Sequence, residues 1–436
     1  MSNVIDRRQL LGGLAAIAAV PACAASRPAA TPAASAGPAA APGTGTPAAS
    51  AAPAAPAVVA AAPAVGPRPA YPPLPALGDP TFARRQDRLR ALAKQAGASA
   101  ALVTSGTTSF AYLAGGRVER SERLIALVLP VDGEPVLVAP AFEVERMHRQ
   151  TRIRTVRPWE EHESPYTIAR EALAAAHAGA RILIEPHTEY QTALALGRAV
   201  PGATLVDGTA AFERLRLHKD DDELARIRRA IAVTQDVFDA TFTGLRAGVR
   251  DREVAAAIAQ DFRAAGYSGY ALVQFGALSA LPHGHPNGEA LRDGMVVLID
   301  GGCEVDGYWS DITRTRVFGG PLPAEFQKVH GVVRDAQSAA IERVRPGVAA
   351  EDIDRAAREV IERAGFGARF THRVGHGLGM DGHEPAYLVR GNTQRLEPGF
   401  VFTVEPGIYL PEQFGVRIED DVACGPDGAI VLSRRD

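Results

Sequence analysis

The stretch Leu298–Thr315, LIDGGCEVDGYWSDITRT, decides how this chain is read. It sets Asp300 and Asp311 eleven residues apart, the first directly after the apolar run Met295–Ile299. Such a run reads as a buried strand ending at Asp300, and Glu304–Phe318 reads as a hairpin. A carboxylate inside a protein is costly unless a partner or a cation neutralises it. Downstream, RVGHGLGMDGHEP carries His376, FTVEPGIY carries Glu405 and GVRIEDD carries Glu419. Four carboxylates and one imidazole, each in a short apolar segment bounded by glycines, would form an oxygen-rich cage for two divalent cations if the fold brings them together.

The chain around this stretch has 436 residues, a formal net charge of −3, 22% charged residues and 46% hydrophobic residues. Those are ordinary values for a globular protein, and the near-neutral charge argues against a nucleic-acid partner. The length allows two or three domains, and two are expected because the first part of the chain lacks core-forming residues. No strongly apolar stretch long enough to span a bilayer follows the N-terminus. Three cysteines (Cys23, Cys303 and Cys424) are too few for a disulfide scaffold. Cys303 and Cys424 follow Asp300 and Glu419 on segments expected to be neighbours, and they read as small buried thiols rather than as a bridge.

Residues 1–24 have the layout of an export signal. Arg7-Arg8 precede the modest apolar run Leu10–Val20, and small residues follow, so the twin-arginine (Tat) route to a periplasmic or extracellular location is expected. Cys23 offers a lipid anchor to a membrane, while cleavage after Ala24 is the alternative. Residues 25–78 are almost only Ala and Pro, with some Gly, Ser and Thr, and have little apolar surface to bury. They read as a disordered spacer.

Residues 79–217 alternate short apolar runs (AALV, LIALVLP, PVLVAP, RILIE, TLVD) with helical segments, including an amphipathic helix over Phe82–Ala96. This is an α/β domain, with a hairpin turn at Asp132-Gly133. Its histidines, His148, His162, His177 and His187, sit among polar residues and read as surface side chains. Residues 218–436 read as α+β. Helices are expected over Asp221–Leu245, Asp251–Ala265, Ala324–Val344 and Ala350–Ala364, and strands over Ala271–Phe275, Phe400–Glu405 and Gly415–Glu419.

With SDITRT, GHGLG, HEP, TVEPGIY and GVRIEDD in this order, the chain resembles the pita-bread metallopeptidases over roughly Asp79–Asp436. The branch it resembles is that of Xaa-Pro aminopeptidases and Xaa-Pro dipeptidases (prolidases). The resemblance implies a creatinase-like α/β N-terminal domain followed by a catalytic domain of two pseudosymmetric halves. It implies that Asp300 chelates one metal, that Asp311 and Glu419 bridge both, and that His376 and Glu405 complete the other. Manganese suits such an oxygen-dominated donor set, and cobalt or zinc also serve in the family.

The same resemblance makes His283 in ALPHGHP a substrate contact, with His285 as the competing candidate. It makes His372 a further site histidine, four residues before His376. It makes His383 the donor to the tetrahedral intermediate, and Glu405 the carrier of a proton from water to the leaving nitrogen. Arg417 is expected to hold a ligand carboxylate such as Asp300. Peptides with proline in second place are the implied substrates, and a homodimer is the implied assembly. The alternatives are a methionine-aminopeptidase-like specificity, which shares the eleven-residue spacing, and a catalytically inactive binding module of the same fold.

Overall fold

Proline and acidic starts, glycine ends and apolar runs divide the chain as follows. In the first domain the elements are α1 (Asp79–Gln95), β1 (Ala100–Thr104), α2 (Thr108–Ala114), β2 (Ala126–Pro130), β3 (Val136–Pro140) and α3 (Val144–Gln150). They continue with β4 (Thr155–Trp159), α4 (Pro165–Ala172), β5 (Arg181–Ile184), α5 (Tyr190–Ala199), β6 (Thr204–Asp207) and α6 (Thr209–Leu217). The structure is a computed structural model and describes residues 71–173 and 179–435. The expected export signal, Cys23, the spacer up to residue 70 and His177 lie outside these residues.

The six strands form one mixed sheet in the order β4-β3-β2-β1-β5-β6. Antiparallel β2 and β3 meet across Asp132-Gly133, where Gly133 has φ +128°. Strand β4 was not expected from the sequence. It is TVRPW at the sheet edge, where Pro158 removes a donor that a central strand would need. His148, His162 and His187 are exposed.

The spacer expectation needs one correction. Its last residues, from Tyr71, are strapped onto the catalytic domain: Tyr71 Oη donates to Asp236 at 2.7 Å, and Arg226 donates to the Pro75 carbonyl at 2.6 Å. Tyr71 and Leu74 supply the apolar surface that the Ala/Pro run lacks, and both pack on the core.

The second domain opens with α7 (Asp221–Gly244) and α8 (Asp251–Ala264). Asp220 caps α7 by accepting from the Glu223 amide at 2.9 Å, and Glu223 returns a bond to the Asp220 amide at 3.0 Å. Strands β7 (Ser268–Phe275), β8 (Val296–Val305), β9 (Tyr308–Trp309) and β10 (Ile312–Val317) follow, then helices α9 (Ala324–Arg343) and α10 (Ala350–Arg363). The chain closes with β11 (Gly375–Gly377), β12 (Glu384–Leu388), β13 (Val401–Val404), β14 (Gly407–Leu410), β15 (Phe414–Arg417), β16 (Asp420–Cys424) and β17 (Ala429–Val431).

Two half-structures result. In one, α7 and α8 cover the antiparallel sheet β10-β8-β7; in the other, α9 and α10 cover β12-β11-β13-β16-β17. The first half shares a continuous core with the N-terminal domain, where Leu89, Leu127, Ile227 and Val273 belong to one cluster. The second half has its own core around Val333, Ile353 and Phe402. Cys303 lies in the first core and Cys424 in the second, so they are not neighbours, and both thiols are buried and free. Among the described residues no helix is long and apolar enough to cross a membrane.

Candidate metal centre

The eleven-residue spacing has a simple geometric meaning. Strand β8 runs out, turns at Asp306-Gly307 and returns as β9 and β10. Asp306 has φ +49° and Gly307 φ +91°, the pair of left-handed residues that a two-residue hairpin needs. In the resulting register Asp300 lies opposite Thr313, and Asp311 lies two residues before Thr313. Cross-strand partners and i, i+2 neighbours share a face, so both carboxylates leave the same side of the sheet. Asp300 does not end its strand, as the apolar run suggested; β8 continues to Val305. Glycine permits this, because a Cβ on Gly302 would sit 1.8 Å from the Ser310 carbonyl oxygen.

The other half contributes its ligands in the same way. Strands β13 and β16 pair with Val404 opposite Asp420, so Glu405 and Glu419 extend that ladder by one step. The seam between the halves is closed there: the Glu419 amide donates to the Thr313 carbonyl at 3.1 Å, and Arg314 donates to the Glu419 carbonyl at 2.6 Å. Buried His376 sits in the middle of β11, its Nε2 3.5 Å from Glu405 Oε1 and 3.9 Å from Asp311 Oδ2. Its Nδ1 donates to the Gly377 carbonyl at 3.1 Å, which leaves the Nε2 lone pair facing the carboxylates.

One cavity of about 410 Å³ is lined by His283, Asp300, Asp311, His372, Arg373, His376, His383, Glu405, Arg417 and Glu419, together with Pro282. Every candidate residue singled out in the sequence therefore reaches it, except the competing His285. The His383 ring lies 3.8 Å, centroid to centroid, from that of His376.

Several residues of the site were not singled out from the sequence. The Thr313 hydroxyl lies 2.7 Å from Asp300 Oδ1 and 2.6 Å from Glu419 Oε2. It has one proton to give and satisfies one of them. Arg417 meets Asp300 Oδ2 at 2.7 Å and Tyr409 Oη at 2.8 Å, and Tyr409 meets His372 Nε2 at 2.8 Å. The Asp311 amide donates to Asp421 at 3.1 Å. Thr313 and Tyr409 stand inside motifs already quoted, two residues after Asp311 and four after Glu405; their roles depend on cross-strand contacts that spacing does not reveal.

The electrostatics describe a site that carries too much negative charge by itself. Burial, with the charges of Asp300, Asp421 and Glu405, drives the Asp311 carboxyl well above its ordinary range. Burial and the charges of Asp311, Glu405 and Asp300 do the same to Glu419. Glu405 is pushed up to about 8, chiefly by burial. At Asp300 burial also pushes up, but Arg417 and the Thr313 hydroxyl outweigh it and hold the group low. Burial lowers His376 to about 3 and His372 to about 4, so both imidazoles are neutral.

Oxygen donors with a single imidazole and four crowded carboxylates are what a pair of divalent cations requires. Asp300, Asp311 and Glu419 form one group with ligand atoms within 4.8 Å of one another; His376, Glu405 and Glu419 form a second, and Asp311, His376 and His383 a third. The residues fit cations.

The loop bearing His383 is anchored from outside the site. Next to it, Glu384 meets Lys219 Nζ at 2.6 Å and Arg216 at 3.5 Å, and Arg216 also meets Asp381 at 2.7 Å. Thr108 of α2 donates to Asp381 at 2.5 Å. The Lys219 and Glu384 side chains are 1% and 2% exposed, so removing one partner strands a buried charge. Lys219→Met is expected to cost about 3 kcal/mol of stability, read as a lower urea midpoint. An unchanged midpoint would show that Arg216 alone neutralises Glu384.

Residues 225–426 match metallopeptidase family M24, and residues 85–218 match the creatinase/prolidase N-terminal domain. A Mycobacterium tuberculosis protein named as the probable dipeptidase PepE is 36% identical over 358 residues, 81% of this chain and 94% of its own. The chain belongs to metallopeptidase family M24. Its fold is therefore the creatinase-like α/β domain followed by the pita-bread catalytic domain, and the family implies divalent metal ions. Among solved structures, a prolidase from Thermococcus sibiricus superposes with TM-score 0.75 at 34% identity, covering 82% of this chain and 98% of that one. An Xaa-Pro dipeptidase from Bacillus anthracis does so with TM-score 0.73 at 27% identity, covering 81% and 98%.

Proposed function

We propose that this M24 metallopeptidase is an exopeptidase that hydrolyses the bond between an N-terminal residue and a following proline, with manganese as the working metal. The observation that carries this reading is the convergence of Asp300, Asp311, His376, Glu405 and Glu419 on one cavity also lined by His383 and His283. Likeness to a prolidase and an Xaa-Pro dipeptidase supports the proline preference. The single imidazole among oxygen donors supports manganese over zinc.

Asp300, Asp311, His376, Glu405 and Glu419 would hold two divalent cations, which supply Lewis-acid activation of water and of the scissile carbonyl. The protein's own groups do the rest. Glu405 accepts the proton of the attacking water on its carboxylate and returns it to the departing nitrogen. That return is needed because an Xaa-Pro nitrogen carries no hydrogen and leaves only as the protonated amine of proline. Arg373 lies 3.2 Å from His383 Nδ1, and a guanidinium only donates, so the His383 proton sits on Nε2. That N–H is free to donate to the oxygen that becomes negative during attack. Arg417, held by Asp300 and Tyr409, fixes the Asp300 carboxylate.

Two measurements test this. Protein supplied with Mn²⁺ should split Ala-Pro at least ~10-fold faster than Ala-Ala, since a specificity pocket discriminates by about this much or more; equal rates would remove the proline preference, and no hydrolysis of either would remove the peptidase reading. His383→Ala should lower kcat by about 10²–10³-fold, the usual cost of losing one oxyanion donor. A variant within threefold of the parent protein would show that His383 does not face the reacting carbonyl.

A further inference from the structure

His283 reaches the cavity from a short turn, not from a strand or a helix. The turn is Leu281-Pro282-His283-Gly284. The Gly284 amide closes it by donating to the Leu281 carbonyl at 3.1 Å, and proline holds its second place. A turn in a loop can tilt unless groups outside it hold its peptide planes.

Gln274 supplies that hold. It lies on β7 two residues after Leu272, which pairs with Asp300 across the sheet. Its side chain therefore leaves the sheet face that carries the Asp300 carboxylate. The residue is fully buried. Its amide nitrogen meets the Leu281 and Gly284 carbonyls, each at 2.8 Å, and the Leu278 carbonyl at 3.3 Å. Three acceptors around one end of the side chain identify that end as the NH2 group, and its two protons serve the two nearer carbonyls. Those two belong to the residues on either side of Pro282-His283. Gly284 leaves room for the contact, since a Cβ there would lie 2.9 Å from Gln274 Nε2.

Other contacts set the rest of the loop. The Pro282 carbonyl accepts from Arg417 at 3.4 Å, and buried Asp251 ties the far end by accepting from the Asn287 and Gly288 amides at 2.9 and 3.0 Å. His285 lies beyond the two carbonyls that Gln274 holds, and it does not line the cavity. Among the described residues the other end of the amide, Oε1, is buried without a hydrogen-bond partner. A leucine would fill the place without stranding an acceptor, so packing alone does not account for a glutamine there.

We propose that Gln274 is a positioning residue: by holding both ends of the Leu281–Gly284 turn it aims the His283 imidazole at the bound peptide. This rests on the exopeptidase reading above, with His283 as a substrate contact, but not on the proline preference. A donor turned away from its acceptor weakens substrate binding and leaves the metal ligands in place, so the loss falls on KM more than on kcat.

The test compares the Mn²⁺-loaded parent with Gln274→Leu and Gly284→Ala, each alone and combined with His283→Ala. The first variant removes the donors, and the second pushes the amide off the turn from the other side. Each should raise KM for Ala-Pro by about 3- to 10-fold, the worth of one neutral hydrogen bond, with kcat within about twofold. In the His283→Ala background neither should raise KM further, because residues that act through one another are not additive. A merely structural role would give the same loss with or without His283. A parent-like KM in Gln274→Leu, or a rise that persists undiminished without His283, overturns the proposal. Hydrogen exchange over residues 281–288 needs no turnover: Gln274→Leu should exchange about 3- to 10-fold faster there than the parent, with α7 unchanged. If the parent splits no peptide, the exopeptidase reading falls; faster exchange then still supports the hold on the turn, and unchanged exchange removes it as well.

Discussion

Glu405→Gln is expected to lower kcat on Ala-Pro by about 10³-fold or more, combining the loss of a proton carrier with the weakening of a metal ligand. The substitution keeps the shape of the side chain and removes its charge and basicity. It should leave the fold intact, because the carboxylate is itself a burden in a cation-free site: burial pushes Glu405 up to about 8. Its contacts are weak ones, 3.5 Å to His376 Nε2 and 3.5 Å to the Thr403 hydroxyl. Metal content measured on the same preparation separates the two causes. A variant that binds its full complement of cations and remains inactive has lost the proton carrier alone. Activity within tenfold of the parent at saturating Mn²⁺ would falsify the role given to Glu405.

Stripping the cations should make the stability of the protein depend on pH in a specific direction. Glu405 is raised from 4.5 to about 8, and Asp311 and Glu419 are raised well above their ordinary values, all chiefly by burial. A carboxyl whose folded pKa is raised stabilises the fold fully below its unfolded value, and that contribution is lost as pH rises through the folded value. Asp300, held low, works the other way, but its contribution is already complete above about pH 4. His376 and His372, lowered to about 3 and about 4, cost stability only below the unfolded histidine value near 6.5.

Between pH 6.5 and 8.5 the raised carboxyls therefore act alone. Each proton lost costs about 1.4 kcal/mol per pH unit. The chelated protein should lose on the order of 5 °C in melting temperature across this window, while the Mn²⁺-loaded protein should lose less, because only buried carboxyls outside the ligand set, such as Asp421, still act there. Parallel melting curves with and without chelator would show that the carboxylates are not crowded as described.

The sequence was most informative where chemistry and local geometry coincide. Asp300, Asp311, His376, Glu405 and Glu419 are legible because a carboxylate or imidazole beside an apolar, glycine-bounded run has few uses other than holding a cation. The long helices were legible too, since α7 and α9 carry periodic apolar faces over many turns. The short elements were harder to see. Strands β11, β14 and β17 are three or four residues long, too short for an alternating pattern to stand out from the turns beside them. Edge strand β4 holds a proline, and α2 is a single buried heptapeptide, Thr108–Ala114. Gln274 has no distinctive spacing inside an apolar strand; the three carbonyls around its amide are visible only in three dimensions.

By itself the sequence picked out the candidate ligands and their order along the chain, and the α/β and α+β character of the two domains. Residue type, periodicity and glycine placement are local properties, and they are written directly into the string. Only the tertiary structure decided that β8 runs on past Asp300, that Thr313 lies between two carboxylates, and that Lys219 and Arg216 anchor the His383 loop. Those facts depend on strand register and on the seam between two sheets, where contacts join residues more than a hundred positions apart and no local pattern encodes them.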